Sequence, residues 1–315
     1  MPAGLSETRR LVAPILSRAG IVDQRAYLWT ASELEWLALT LGVTPRRDPA
    51  RRPRLLDLGC GWGSLGIALA RRVDDLRVEG VDLDPELLAA GRLIVQALEL
   101  RDRVHLREDD LTQLDREALV SFDAVTCQAV LVHLPRAESW LSGLVAGLQA
   151  GTVVALVEVD ALARARGIRD SVTDDDPEYA ALRREVAAAV VEGAQHDLGV
   201  DRRIGGRLGV VLGAVSLGEI QGGPVASDAL LRPPYRADDP RALWFADRLR
   251  CRRGGDPVER MLAVAGGMSV DRFDRWEERR RRADDRRLGQ LSAGCYARDE
   301  REGTFWARGV VNPAR

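Results

Sequence analysis

The densest chemistry in the chain lies in LLDLGCGWGSLG, residues 55 to 66. An apolar run closes on Asp57, glycines follow at 59, 61, 63 and 66, and a helical pattern starts at Ser64. Glycines between a strand and a helix admit positive φ and let a ligand lie against backbone amides, so the segment implies a nucleotide-like ligand. Two parses compete. Gly61, Gly63 and Gly66 spell G-x-G-x-x-G, a dinucleotide fingerprint, whereas Asp57, Gly59, Gly61 and Gly63 spell D-x-G-x-G-x-G. Asp82, ending the next apolar run, suits ribose hydroxyls under either parse.

Three features favour the second. Asp57 stands two residues before the first glycine, where a carboxylate orients the loop and favours a cationic ligand such as the amino group of an amino acid. Asp110 with Leu111 pairs a carboxylate with an apolar face, which suits an exocyclic amine and an adenine ring. FDAVTC continues into QAVLVHLP without the glycine turn of a second phosphate site. Composition adds exclusions: all 46 basic residues are arginines, so Schiff-base, pyridoxal and Walker A chemistry have no lysine to use. A cation that orients a substrate here must be an arginine.

The elements that hold these residues alternate. RLLDL, RVEGVD, RVHLRE, FDAVTC and TVVALVEV read as strands, separated by helices over 64–72, 85–98, 115–120 and 135–148. Such alternation gives a parallel sheet covered by helices, with ligands outside the carboxyl ends of the strands. The strand ends to inspect are therefore Asp57, Asp82, Asp110, Cys127 with Gln128, and Glu158 with Asp160. Residues 5–42 carry two helical stretches, the second opening at Ser32, and a Pro/Arg linker spans 44–54. Beyond 160, helices are expected over 177–196, 201–212, 239–252, 257–265 and 270–288, with extended segments near 220–226, 291–297 and 304–311.

Residues 54–160 resemble a class I S-adenosylmethionine-dependent methyltransferase: DLGCGWG its first motif, VDLDP the acidic ribose motif, REDDL the adenine motif, FDAVTCQAVLVHLP the fourth strand, LQAGTVVALVEVD the fifth. The resemblance implies S-adenosylmethionine as cofactor and a Rossmann-like, doubly wound α/β sheet of seven mostly parallel strands. TFWARGVV would be its antiparallel strand. It also implies roles: Asp57, Gly59, Cys60 and Gly61 shape the methionine end, Asp82 binds the ribose diol, Leu83 and Leu111 flank adenine, Asp110 takes its amino group, and Gln128 lies near the methionine part. Three parts follow: an N-terminal helical cap (1–50), the cofactor-binding core (51–160), and a C-terminal half (161–315) that completes the sheet and carries a substrate lid over about 238–290.

Methyl transfer from a sulfonium is an in-line displacement, so the protein must align donor and acceptor and take a proton where the acceptor carries one. His133 is the best-placed base; Glu158 and Asp160 face the acceptor side in this fold, with loop capping as their structural reading. Tyr27 and Trp29 would close over the cofactor or pack among the N-terminal helices. GCGWG also resembles cyclopropane fatty acid synthases, from which Asp82 and VDLDP depart. A cofactor-binding protein without transferase activity is the alternative from a different class.

The expected partner is a small-molecule acceptor, from specialised metabolism, with a homodimer allowed. Nucleic acid is not expected: the net charge is −2, and CQAV replaces the D/N/S-P-P-Y/F turn of amino-methylating enzymes, RPPY at 232–235 falling too late. DRFDRWEERRRRADDRR sets eight arginines against six acids at i, i+4 spacing and reads as a solvated, self-neutralising helix. Cys60, Cys127, Cys251 and Cys295 form no C-x-x-C pair, so reduced thiols, no metal site and a cytoplasmic location are expected. The uncharged stretch 141–157 contains Ser142, Gln149, Thr152 and three glycines, and reads as helix, turn and strand rather than a membrane span.

Overall fold

A computed structural model describes residues 31–43, 52–174, 176–225, 231–236, 239–300 and 303–313. Tyr27, Trp29 and most of the Pro/Arg linker lie outside them.

Apolar strands alternating with helices fold as expected. β1 (Arg54–Leu58), β2 (Arg77–Asp82), β3 (Val104–Glu108), β4 (Ala124–Gln128) and β5 (Val153–Val159) form a parallel sheet. It is crossed by α2 (Ser64–Ala70), α3 (Pro85–Ala97), α4 (Arg116–Leu119) and α5 (Ala137–Gly147). β4 is buried at every position and β1 at all but its first, as a sheet covered on both faces requires. Asp84 caps α3 through the amides of Glu86 and Leu87, with Pro85 at its first position.

The strand order is β3-β2-β1-β4-β5-β9-β7, with β7 at Leu217–Pro224 and β9 at Thr304–Val311. β9 runs antiparallel between β5 and β7, so TFWARGVV is the inserted strand. The order reverses between β1 and β4, which places the ligand crevice beside their carboxyl ends. α1 (Ala31–Thr40) packs Leu34, Leu37 and Ala38 into the core on one face of this sheet, and Trp36 meets Trp306 of β9 edge-on at 4.7 Å.

A second layer follows. α6 (Ala161–Gly167) leads to β6 (Ile168–Asp170), which pairs antiparallel with β8 (Arg298–Glu300). α7 (Pro177–Leu198) packs on α10 (Pro257–Ala265) and α11 (Val270–Ser292) through Val186, Val190, Leu262, Phe273 and Trp276. α7 and α10 approach so closely that a Cβ at Gly193 would stand 1.9 Å from the Leu262 carbonyl oxygen. α8 (Leu208–Ala214) backs the sheet, and α9 (Pro240–Cys251) joins α11 and Tyr296 in a separate apolar cluster.

Three expectations change. Residues 291–297 are not extended: α11 continues to Ser292 and only Arg298–Glu300 is strand. The helix expected from Asp201 begins as a 3-10 turn over Ile204–Arg207, where Gly205 and Gly206 pack against the chain at Glu158 to Asp160. α11 is not simply solvated: Phe273, Trp276, Arg280, Asp284 and Arg287 are buried, and the expected exposed pairs Glu277–Arg281 and Glu278–Arg282 cover the other side.

Candidate functional site

At the end of β1 the chain turns through Gly59 and Gly61, both at positive φ (64° and 57°). A Cβ at Gly59 would stand 2.2 Å from Val130 Cγ2, so this loop and the loop after β4 share a surface that admits only glycine there. Cys60 is buried on the other side, against Gly80 of β2. Beneath, buried Asp57 accepts the Thr126 hydroxyl at 3.0 Å, which ties β1 to β4.

Asp82, at the tip of β2, braces the glycine loop. The Gly61 amide donates to its Oδ2 at 2.6 Å and the Asp84 amide to its Oδ1 at 3.0 Å. Each carboxylate oxygen keeps a further lone pair for ligand hydroxyls. Leu83 is 67% exposed, an apolar face that no folding requirement explains. Asp110 accepts from the Thr112 amide (2.9 Å), the Thr112 hydroxyl (2.8 Å) and Gln113 Nε2 (3.1 Å). These bonds, the Thr112 amide first, hold its carboxyl below the usual carboxylate range. The Leu111 carbonyl accepts the Trp140 indole N–H at 2.7 Å, which fixes the turn. The arginines nearby are engaged elsewhere: Arg92 on the Leu106 carbonyl, Arg107 on Glu79 and Asp109. A half-buried acid on the loop, an exposed leucine and an ionised acid beyond fit a nucleoside better than a phosphate ligand.

Buried Gln128 ends β4, and the next loop is held by Glu158. Its Oε1 accepts the amides of Val130 (2.9 Å) and Leu131 (2.8 Å). Glu158 is thus enclosed under the loop. Asp160 caps α6 through the amides of Leu162 (2.9 Å) and Ala163 (2.8 Å). His133 is exposed at the loop's end, on the wall of a cavity of about 420 Å3.

This cavity lies between the carboxyl ends of β4 and β5 and the helical layer. Val132, Val159, Ile168, Val186, Val190 and Trp276 give it apolar walls, and Arg164, Arg183, Arg202, Arg252 and Arg280 enter it with Glu259. Burial, then Asp256, pushes the Glu259 carboxyl up. Asp284, 1% exposed, accepts Arg252 (2.6 and 3.0 Å), Arg280 (3.1 Å) and Arg287 (2.7 Å), and Arg287 also donates to buried Asp170 at 2.8 Å. Sequence reasoning missed these arginines. One signal was available: Tyr179, Arg183, Val186 and Val190 fall at helical spacing on α7, so a charge sits within an apolar stripe.

The structure therefore gathers Asp57, Gly59, Cys60, Gly61, Asp82 and Leu83 around the glycine loop, with Asp110 and Leu111 following the neighbouring strand and Gln128 beyond β1. His133 stands apart, at the cavity.

Residues 56–154 match the family model of a methyltransferase domain. The ubiquinone biosynthesis O-methyltransferase of Xanthomonas axonopodis pv. citri is 41% identical over 93 residues, 30% of this chain and 37% of that protein. That of Xylella fastidiosa is 39% identical over 95 residues, with the same shares of 30% and 37%. The chain thus spans little more than a third of the length of these relatives. Among solved structures, the 4+2 cyclase SpnF superposes with a TM-score of 0.50 at 15% identity, covering 98% of this chain and 96% of that one. The likeness is one of fold.

Proposed function

We propose, for a chain whose core is a class I S-adenosylmethionine-dependent methyltransferase domain, that it moves a methyl group to an oxygen, nitrogen or carbon of a mid-sized organic acceptor, such as one of specialised metabolism. One observation carries the reading: the acid-braced glycine loop and a cavity of about 420 Å3 meet at the loop after β4, which Gly59 touches from one side and His133 extends into the other.

S-adenosylmethionine supplies an activated methyl and its own leaving group. Asp82 would hold the ribose diol, Leu83 and Leu111 the adenine faces, and Asp110 its amino group, while Asp57, Gly59, Cys60, Gly61 and Gln128 shape the methionine end. His133 would accept the acceptor's proton where there is one. Glu158 and Asp160 act here as positioning residues: the first fixes the loop that carries His133, the second caps the helix that carries Arg164. Aligning donor and acceptor is what such a displacement chiefly needs.

The relatives' acceptor does not transfer readily. The family match ends at residue 154, and most of the cavity wall comes from residues beyond it. SpnF, named a cyclase, shares the fold, so fold alone leaves open a cofactor-binding protein without transfer. Label transfer from methyl-labelled S-adenosylmethionine in a metabolite screen decides: labelled product supports the proposal, whereas tight S-adenosylhomocysteine binding with no product from any acceptor favours the alternative.

A further inference from the structure

The charges around the cavity do not cancel. Arg252 and Arg280 are satisfied by Asp284, and Glu277 stands 3.5 Å from Arg280. Arg183 donates through Nη2 to the Ile168 carbonyl at 3.0 Å, a neutral acceptor. Its Nε–H and that of Arg202 are sealed from solvent without an acceptor. Burial draws the Arg183 guanidinium below its ordinary value, Tyr179 and Asp170 opposing. Glu259, the acid on the cavity wall, faces Arg280, Arg252 and Arg202, but burial and then Asp256 outweigh them and push it up toward its neutral form. A second cavity of about 230 Å3 shares Arg164, Ile168, Tyr179, Arg183 and Arg252, and its charged lining is entirely arginine. Holding a desolvated guanidinium group such as that of Arg183 against an apolar wall is costly unless an anion completes it.

We infer that the acceptor is an amphiphilic organic oxyanion, a carboxylate or phosphate held by Arg183 and Arg202, with its apolar body against Val186, Val190 and Trp276 and its reacting end toward His133. The inference rests on the proposed methyl transfer for the meaning of "acceptor", but the binding site stands without it. Planar guanidinium groups favour carboxylate and phosphate oxygens over neutral amides.

The test titrates the protein loaded with S-adenosylhomocysteine with 2-naphthoate, 2-naphthyl phosphate and uncharged 2-naphthamide, followed by ligand-observed NMR. At least one anion should bind about tenfold or more tightly than the amide, and its identity separates carboxylate from phosphate. Arg202→Gln and Arg183→Gln should each weaken that anion about tenfold, Arg183→Lys less, with S-adenosylhomocysteine affinity within about twofold of the parent. The inference is overturned if the amide binds as well as the anions, if no anion binds at millimolar concentration, if the variants leave anion binding intact, or if they weaken S-adenosylhomocysteine equally. The last would assign the arginines to the cofactor's carboxylate. If the parent chain binds the anion but not S-adenosylhomocysteine, the methyltransferase reading falls while the anion site stands.

Discussion

The glycine-loop cradle and the cavity below the helical layer are built from opposite charges in opposite ways. The cradle uses carboxylates, Asp57, Asp82 and Asp110, each at or just beyond a strand end and each bonded to groups within three residues or on the neighbouring strand or its loop. The cavity uses arginines drawn from α6, α7, the turn after Val200, the turn after α9, and α11, more than a hundred residues apart. A cationic donor and an anionic acceptor would each meet the charge that suits it, and each site would repel the other's ligand.

The comparison breaks most severely at Asp284. Replacing it by alanine removes the acceptor shared by three guanidinium groups, of which Arg287 keeps Asp170 and Arg280 keeps Glu277, and should cost about 3–5 kcal/mol of folding stability in chemical denaturation. The cradle should respond in binding rather than stability. Asp82→Asn should weaken S-adenosylhomocysteine about 10- to 100-fold in calorimetry, since a charged acceptor on both the loop and the ribose is lost.

A smaller effect is acid sensitivity of the helical layer. Burial would raise the Asp170 carboxyl, but the Arg287 guanidinium more than reverses this and holds it below the usual range. A carboxyl depressed on folding contributes stability that is present above its unfolded value, near about 4, and lost as pH falls through the lower folded value. Asp170→Asn should therefore be less stable at neutral pH and flatten the acid limb of a denaturation-versus-pH profile. The smallest change is on the solvent face of α11: Glu278→Gln should shift stability by about 0.5 kcal/mol or less, because both partners are more than 60% exposed.

The two regions also differ in how much of each could be read before the structure. The five parallel strands, the acids that end them and the antiparallel insertion of TFWARGVV were all legible, because strand periodicity, glycine turns and capping acids are local signals. Glu158 and Asp160 were half legible: Asp160 caps the helix that starts beside it, a local signal, whereas Glu158 serves the amides of Val130 and Leu131, a matter of where a neighbouring loop folds. The arginine cavity was legible only at Arg183, a charge within the apolar stripe of α7. Arg183, Arg202 and Arg252 share no motif, and in α11 the alternation of acids and arginines concealed a buried face: Asp284 pairs with Arg280 and Arg287 at the same helical spacing as the exposed pairs, and only the tertiary bonds of Arg280 to the Arg252 carbonyl and of Arg287 to Asp170 set them apart.

The division of labour is tested most directly by crossing two variants with two ligands: Asp82→Asn and Arg202→Gln, each titrated with S-adenosylhomocysteine and with 2-naphthoate or 2-naphthyl phosphate. The account predicts that each variant loses about tenfold or more for one ligand and little for the other. Equal losses for both ligands in either variant, or none, would contradict it.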